Sequence, residues 1–291
     1  MFERFQTIPD APMRDYTTLR LGGPADWLIT PGNEEELILI LREAEENKIP
    51  VTVIGRGSNL LVLDGGIRGA VIRIAQGMRG CSVRGNRLLA EGGTPMSAAA
   101  AAAAEAGLTG LEFASGIPGT VGGGVIMNAG AYGGEMSQVV AEVRLVSRRG
   151  ERSTLRGDEL GFSYRHSKLQ EEDLIVTGVT FCLQNENPDL IRERMAELKR
   201  KRAEKQPLDL PSAGSTFKRP EGAFAAALID QCGLKGLRVG GAMVSPKHAG
   251  FLVNTGNSAR DFLELVRTVQ EIVRERTGIL LETEIRILGQ E

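Results

Sequence analysis

Between Ala114 and Gly133 the chain reads ASGIPGTVGGGVIMNAGAYG, with glycine at seven of twenty positions and one aromatic, Tyr132. Glycine loses the most backbone freedom on folding and brings no side chain to a core, so this stretch forms neither a good helix nor a good strand. A fold that contains it must hold it in place with neighbouring elements. The nearest is unusual as well: Ala98 to Ala104 are seven consecutive alanines. Thr94 reads as their N-cap, Pro95 as the first helical residue and Gly107 as a left-handed terminator. A helix of small side chains lets a neighbouring backbone approach closely, and the order predicts that it packs on the glycine-rich stretch.

A second glycine-rich loop, GRGSNLL at 55–61, follows the short buried strand VTVIG at 51–55. It begins as a dinucleotide fingerprint does, but Leu60 stands where the third glycine belongs, and LLVLDGG reads as strand and turn rather than helix. No G-x-x-x-x-G-K-[ST] occurs. Both common helix-dipole phosphate sites are thereby disfavoured. Glycine loops bearing Ser58, Asn59, Ser115, Thr120 and Asn128 can still cradle a diphosphate through backbone N–H groups. Two such loops separated by a small-residue helix suggest one long cofactor across both, although tight sheet corners also use glycine runs.

Around these loops the pattern is mixed. Asn33, Glu34, Glu35 and Glu36 read as a capped helix start ahead of Leu37, Ile38, Ile40, Leu41 and Ala44. Strands are predicted at 70–74, 140–147, 151–155 and 174–184, with a hairpin across Gly85-Asn86. A long helix follows Asn187-Pro188, with Leu190, Ile191, Met195 and Leu198 on one face. Its basic end, KRKRAEK, reads as a solvated face. Beyond Pro207 and Pro211 come a short helix over 223–233 and strands near 242–246 and 251–254. A helix capped by Ser258 and Asp261 and ended by Gly278 is next. The last strand, 279–288, alternates Glu282, Glu284 and Arg286 on one face.

The composition of 291 residues, 42% hydrophobic and 25% charged with a net charge of −2, is that of a globular protein with material for a core. It gives no electrostatic reason to expect nucleic acid or an anionic membrane as partner. The N-terminal MFERFQTIPDAPMRD is charged and broken by prolines, unlike a signal peptide, and no apolar run reaches spanning length, so a cytoplasmic location is expected. Cys81, Cys182 and Cys232 are widely spaced and, with His166 and His248, form no metal-binding spacing. They are expected to be buried or half-buried free thiols, and no metal is expected.

Six segments, taken in order, resemble one family: GRGSNLLVLDGGIRGAVIRI, FASGIPGTVGGGVIMNAGAYGGE, FSYRHS, PSAGSTFKRP, GGAMVSPKHAGFLVN and LLETEIRILG. Together they span nearly the whole chain and are similar to the UDP-N-acetylenolpyruvoylglucosamine reductases. These flavoenzymes complete UDP-N-acetylmuramic acid for peptidoglycan. The resemblance implies an α+β chain with an FAD-binding fold of the vanillyl-alcohol-oxidase (PCMH) type. Its subdomains would cover 1–75 and 76–187, and a substrate-binding domain would cover 188–291. It also implies non-covalent FAD, NADPH as co-substrate, a UDP-sugar substrate and a monomer. Without an insertion between 184 and 211, the chain resembles the shorter class, which lacks a tyrosine-bearing loop.

In that family NADPH reduces the flavin, hydride passes to C3 of the enolpyruvyl group, and a serine protonates C2. Carried over by motif, the serine is Ser215, an arginine is Arg165 and a glutamate is Glu284. A guanidinium stabilises the negative charge that hydride addition places on C2 and the carboxylate. A carbanion-like carbon is basic enough to take a serine proton, and a carboxylic acid with a raised pKa can donate a hydrogen bond as charge builds. From the residues alone Ser215 is equally a turn serine, Arg165 a partner of Asp158 or Glu159, and Glu282 as good a choice as Glu284. Only the resemblance selects among them.

The flavin-binding set it implies is Gly55, Arg56, Gly57, Ser58, Asn59, Leu60, Ser115, Gly116, Ile117, Pro118, Gly119, Thr120, Gly122, Gly123, Asn128, Ala129, Gly130 and Arg286. Lys218, Arg219, Lys247 and His248 are candidates for the substrate diphosphate by charge and position. An FAD oxidase of the same fold and a flavin-binding protein without catalysis remain alternatives.

Overall fold

The apolar spacing of the first third builds a helix against a sheet. In the computed structural model, which describes residues 1–291, helix α1 is Glu34–Glu46, and its buried residues are the five that the periodicity predicts. Asn33 Oδ1 accepts the Glu36 amide at 2.9 Å. The Glu36 carboxylate accepts from Gly32 at 2.7 Å rather than from Asn33, so the cap closes one residue earlier than a capping box does. Val51–Ile54 pairs in parallel with Ile67–Arg73. These strands complete a four-stranded sheet ordered Thr7–Pro12, Pro24–Ile29, Ile67–Arg73, Val51–Ile54. Leu37, Leu41, Ile72 and Met78 share one core with Val146 and Ile175.

A five-stranded antiparallel sheet follows, ordered Arg152–Arg156, Val140–Ser147, Leu174–Cys182, Arg87–Glu91, Cys81–Arg84. The Gly85-Asn86 hairpin forms as expected. The alanine run becomes helix α2, Met96–Glu105. Its N-cap is Pro95, and Thr94 turns its hydroxyl to the Gly80 carbonyl instead.

The glycine-rich stretch departs most from expectation. Glu112–Gly116 is a 3-10 turn, and Val121–Ile126 is a short helix, α3, whose cap Thr120 accepts the Gly123 amide at 3.2 Å. Propensity loses here to packing. The Gly122 amide reaches the Gly92 carbonyl at 2.8 Å, and a Cβ at Gly124 would lie 2.6 Å from Met136 Cε and 2.9 Å from Met96 Sδ. Only a helix without side chains on those faces can approach so closely.

Helix α4, Pro188–Lys205, starts where Asn187-Pro188 predicts. Ile191 is buried, while Leu190 stands 48% exposed, off the apolar face. The C-terminal part holds α5 (Ala225–Gln231), a three-stranded sheet of Arg238–Val239, Ala242–Val244 and Leu252–Asn254, and α6 (Ala259–Thr277). Ser258 caps α6, and Gly278, at φ 76°, ends it as expected. The predicted strand over 279–288 is regular only at Arg286–Leu288, which pairs in parallel with Leu60–Val62. Two of the three cysteines, Cys81 and Cys182, are exposed rather than buried; Cys232 is buried.

The chain divides into two compact units. The first comprises Met1–Pro9, Trp27–Arg56 and Gly69–Arg202; the second comprises Asp10–Asp26, Gly57–Arg68 and Ala203–Glu291. The second unit therefore recruits two early segments that a linear reading assigns to 1–75. The cause is apolar: Leu19, Leu21, Leu61 and Leu63 belong to one core with Phe217, Phe262, Leu265 and Ile285. No helix is long and apolar enough to cross a membrane.

Candidate active site

In the first unit the two glycine loops touch. A Cβ on Gly55 would lie 2.5 Å from Thr120 Oγ1, so the strand end at 55–56 abuts the turn SGIPGT. The backbone amides of Arg56, Gly119 and Thr120 donate to no protein acceptor. Thr120 is also only 1% exposed. Of the three only Thr120 is buried, and a buried donor calls for an acceptor, so the loop fits a phosphate-bearing cofactor such as FAD. Gly122 and Gly123 do not contribute in this way. Their amides go to Gly92 and to Thr120 Oγ1, inside the fold.

Two cations on α4 secure the turn. Arg194 donates to Glu112 Oε1 at 2.9 Å, to Glu186 Oε1 at 2.9 Å and to Thr109 Oγ1 at 3.1 Å. Glu112 also accepts from Thr109 Oγ1 at 2.7 Å and the Gly110 amide at 2.8 Å, while Ser115 donates to its carbonyl at 2.7 Å. Burial alone would push the Glu112 carboxyl up, but the donors from Thr109, the local backbone and Arg194 outweigh it and hold it below the usual range. A carboxylate with a depressed folded pKa contributes stability above its unfolded pKa, and that stability is lost as pH falls through the folded value. Arg194→Ala is therefore expected to move acid unfolding to higher pH and to lower Tm by a few degrees, measured by circular dichroism. Arg194→Lys should restore only part, because an ammonium lacks the fork that engages several acceptors at once.

Arg202 is the other cation, and sequence reasoning missed it. Its Cδ and a terminal nitrogen lie close to Gly116, 3.1 Å from where a Cβ would stand. Burial pushes its guanidinium down, and nearby Tyr132 acts in the opposite direction. One signal was available: Arg202 lies four residues past Leu198, on the apolar face of α4 rather than the solvated one.

Arg165 occupies a strained hairpin, with φ of 54°. It donates to the Gly130 carbonyl at 3.2 Å. Asn128, itself at φ 40°, ties this region together. Its Nδ2 donates to Glu135 at 3.2 Å and to the Ser163 carbonyl at 3.0 Å, and its Oδ1 accepts the Ser137 amide at 3.0 Å. The Asn128 side chain is thus engaged in positioning the Arg165 hairpin rather than turned outward. Asp158 pairs with Arg156, and Glu159 accepts the Arg156 amide. Left-handed non-glycine residues gathered at Asn128, Tyr132 and Arg165 are the kind of stored strain found at functional sites.

In the second unit the segment that carries Ser215 pairs with the segment that carries Glu284. Thr216 donates its amide to Gly250 at 2.9 Å and accepts the Glu284 amide at 2.8 Å, and the Lys218 amide reaches the Glu282 carbonyl at 2.8 Å. Residues 212–218 are thereby held between 250–254 and 282–284. Geometry separates the two glutamates that periodicity could not. Glu282 is an exposed partner of Lys218 at 3.2 Å, whereas Glu284 is half-buried and gives its carbonyl to Asn59 Nδ2 at 3.1 Å. The Arg286 amide meets the Asn59 carbonyl at 2.9 Å, so the GSN loop and the ETEIR segment form one layer. Gly57 in that loop has to be glycine, at φ 65° with the Tyr16 carbonyl 2.2 Å from where a Cβ would stand.

The four expected diphosphate ligands are each engaged or neutral. Lys218 pairs with Glu282, Lys247 donates to the Ala203 carbonyl at 2.6 Å, and Arg219 stacks 4.7 Å over Phe224. Burial lowers the His248 pKa, helped by Lys235 and Lys205 and opposed by a backbone hydrogen bond, so the ring is neutral at pH 7. No cluster of His, Cys, Asp and Glu could hold a metal ion.

Comparison with known proteins agrees along the whole chain. Residues 25–156 match the FAD binding domain, and residues 206–288 match the C-terminal domain of UDP-N-acetylenolpyruvoylglucosamine reductase. A UDP-N-acetylenolpyruvoylglucosamine reductase of Clostridium novyi is 49% identical over 280 residues, covering 96% of this chain and 91% of that protein. One of Pediococcus pentosaceus is 46% identical over 291 residues, covering 100% and 97%. The crystal structure of UDP-N-acetylenolpyruvylglucosamine reductase from Thermus caldophilus superposes with a TM-score of 0.84 at 42% identity, covering 98% of this chain and 99% of that one.

Proposed function

We propose, because this chain belongs to the UDP-N-acetylenolpyruvoylglucosamine reductase family, that it reduces the enolpyruvyl ether of that sugar nucleotide to the lactyl ether of UDP-N-acetylmuramate. The reaction would serve peptidoglycan synthesis in the cytoplasm, with NADPH as the electron source and the protein acting as a monomer. The chain is an FAD-dependent oxidoreductase with the α+β fold of that family. When bound and reduced, FAD supplies the hydride that adds to C3.

The chain's own residues do the rest. Ser215 donates its hydroxyl proton to C2, a strong base once hydride has arrived at its neighbour. Glu284, held half-buried beside the Ser215 segment, donates a hydrogen bond to the substrate carboxylate as charge builds. Arg165 offers a fixed guanidinium to the same developing charge. Arg56, Gly119 and Thr120 turn amides to the cofactor diphosphate. The observation that supports this reading is the hydrogen bond from the Glu284 amide to the Thr216 carbonyl, which pairs the backbone next to Ser215 with that of Glu284.

The test is spectroscopic. The protein is expected to purify yellow, to bleach on anaerobic NADPH, and to recover its colour when the enolpyruvyl sugar nucleotide is added. Bleaching without recovery would favour a flavoenzyme of other specificity. A colourless protein that takes up no FAD would overturn the reading altogether.

A further inference from the structure

Since the lysines near Ser215 are committed elsewhere, an unassigned cationic site in the second unit becomes informative. A cleft of about 610 Å³ is lined by Arg14, Arg20, Thr17, Asn254, Thr255 and Asn257 among its residues. This volume suits a small ligand. Neither Arg14 nor Arg20 has an ion pair or side-chain hydrogen bond, and both are exposed to the cleft's solvent. A third guanidinium, Arg238, reaches the lining residue Thr255 at 3.4 Å. The acidic groups nearby do not neutralise the set. Asp15 lines the cleft without pairing to either arginine. Asp64 is spent on the first turn of α6, accepting from Ala259 at 2.9 Å and Arg260 at 3.1 Å.

The arginine-bearing turn is braced rather than loose. Arg20 is held at φ 55°, a left-handed conformation costly for a side chain of its size. The Thr17 hydroxyl donates to the Leu21 carbonyl at 3.0 Å, and Asn254 Nδ2 donates to the Leu19 carbonyl at 3.1 Å, both buried. Thr18 Oγ1 reaches the Ser212 carbonyl at 2.7 Å. These bonds fix the backbone on both sides of Arg20 while its guanidinium remains without a partner, which is preorganisation for a ligand. The Asn254 amide and the Thr255 hydroxyl are bonded to the Leu19 and Gly241 carbonyls, which leaves the Asn257 amide as the further neutral donor.

We propose that this cleft binds the diphosphate of a nucleotide. Guanidinium groups match phosphate oxygens in pairs and bind them with charge-assisted hydrogen bonds. Two unpaired arginines beside the Asn257 amide suit the two linked phosphates better than a single carboxylate. The cleft reaches Pro211, four residues from Ser215, which an extended chain separates by at most about 14 Å. The diphosphate can therefore be the substrate's own or that of a separate nucleotide. The assignment stands on the cleft and not on the proposed reaction.

The holoprotein should be titrated with inorganic pyrophosphate while amide shifts are followed by NMR. Saturable shifts confined to Thr17–Leu21 and Asn254–Asn257 are expected. The double variant Arg14→Gln, Arg20→Gln should weaken binding at least about tenfold, with flavin spectrum and Tm unchanged. Arg20→Lys should retain part of the affinity. Absent or scattered shifts, or an affinity indifferent to the double substitution, would overturn the assignment. Adding the enolpyruvyl sugar nucleotide then separates the sources. Displacement of pyrophosphate identifies the substrate's diphosphate, and simultaneous binding identifies a second nucleotide site; either upholds the cleft. Turnover is read separately, so failure of the reaction leaves this result intact.

Discussion

Ser215→Ala should still be bleached by NADPH at an undiminished rate, yet turn over roughly 10²- to 10⁴-fold more slowly, the range that loss of a positioned proton donor commonly costs. The structure lets this loss be read cleanly. Ser215 follows Gly214 at φ 80° in a turn. The hydrogen bonds that hold the turn belong to Thr216: its amide to Gly250, its carbonyl to the Glu284 amide, and its hydroxyl accepting the Leu252 amide at 3.3 Å. Removing the Ser215 hydroxyl therefore breaks none of the bonds that define the segment, and Tm should stay put. Stopped-flow spectra of the two half-reactions would localise the defect to reoxidation by the sugar nucleotide. Ser215→Cys supplies a second, more acidic donor in the same place and should recover part of the rate. Normal turnover by the alanine variant would remove Ser215 from the mechanism. Loss of NADPH bleaching would instead place its role at the cofactor.

What the sequence made legible follows from how local each determinant is. Helices α1 and α6 announce themselves, because cap, apolar stripe and terminator all lie within one stretch of chain and all agree. Two features resisted. Helix α3 contradicts its own propensity, since what makes it helical is the room left by Gly92, Val176, Met96 and Met136, none of them adjacent in sequence. The second unit's core draws on Leu19, Leu21, Leu61 and Leu63, whose destination no period reveals. The site divides in the same way. Ser215 and Glu284 are reached through family motifs alone, and burial separates Glu284 from the exposed, lysine-paired Glu282, since the backbones of both pair with residues 216–218. Arg202 was overlooked because its neighbours in KRKRAEK are solvated, although its helical phase differs from theirs. The Asn128 amide, which sequence reading turns toward the cofactor, is consumed in supporting Arg165.

The same distinction between cofactor and scaffold decides the outcome at Gly122. Gly122→Val is expected to destabilise the protein by about 3 kcal/mol, the upper end of ordinary overpacking costs, and so to lose FAD because the fold fails. Placing Gly122 in the flavin-binding set, as the family resemblance does, implies the reverse order, with flavin binding failing first. At Gly122 a Cβ would stand 3.0 Å from the Gly92 carbonyl oxygen and 3.3 Å from Val176 Cβ. Gly92 cannot retreat, because its own amide is tied to the Thr177 carbonyl at 2.9 Å. Alanine there would return about 1 kcal/mol of helix propensity against a tight contact, whereas the branched methyls of valine have nowhere to go. Gly123→Ala is the contrasting case, since its Cβ would meet only Thr120 Oγ1, at 3.3 Å. That variant should keep its Tm, so any weakening of FAD binding it shows reports on the loop and not on folding. Thermal unfolding of the flavin-free proteins, followed by FAD titration, ranks the two. If Gly122→Val instead unfolds at the wild-type temperature and merely binds FAD poorly, α3 faces the cofactor at Gly122 and the packing account is wrong.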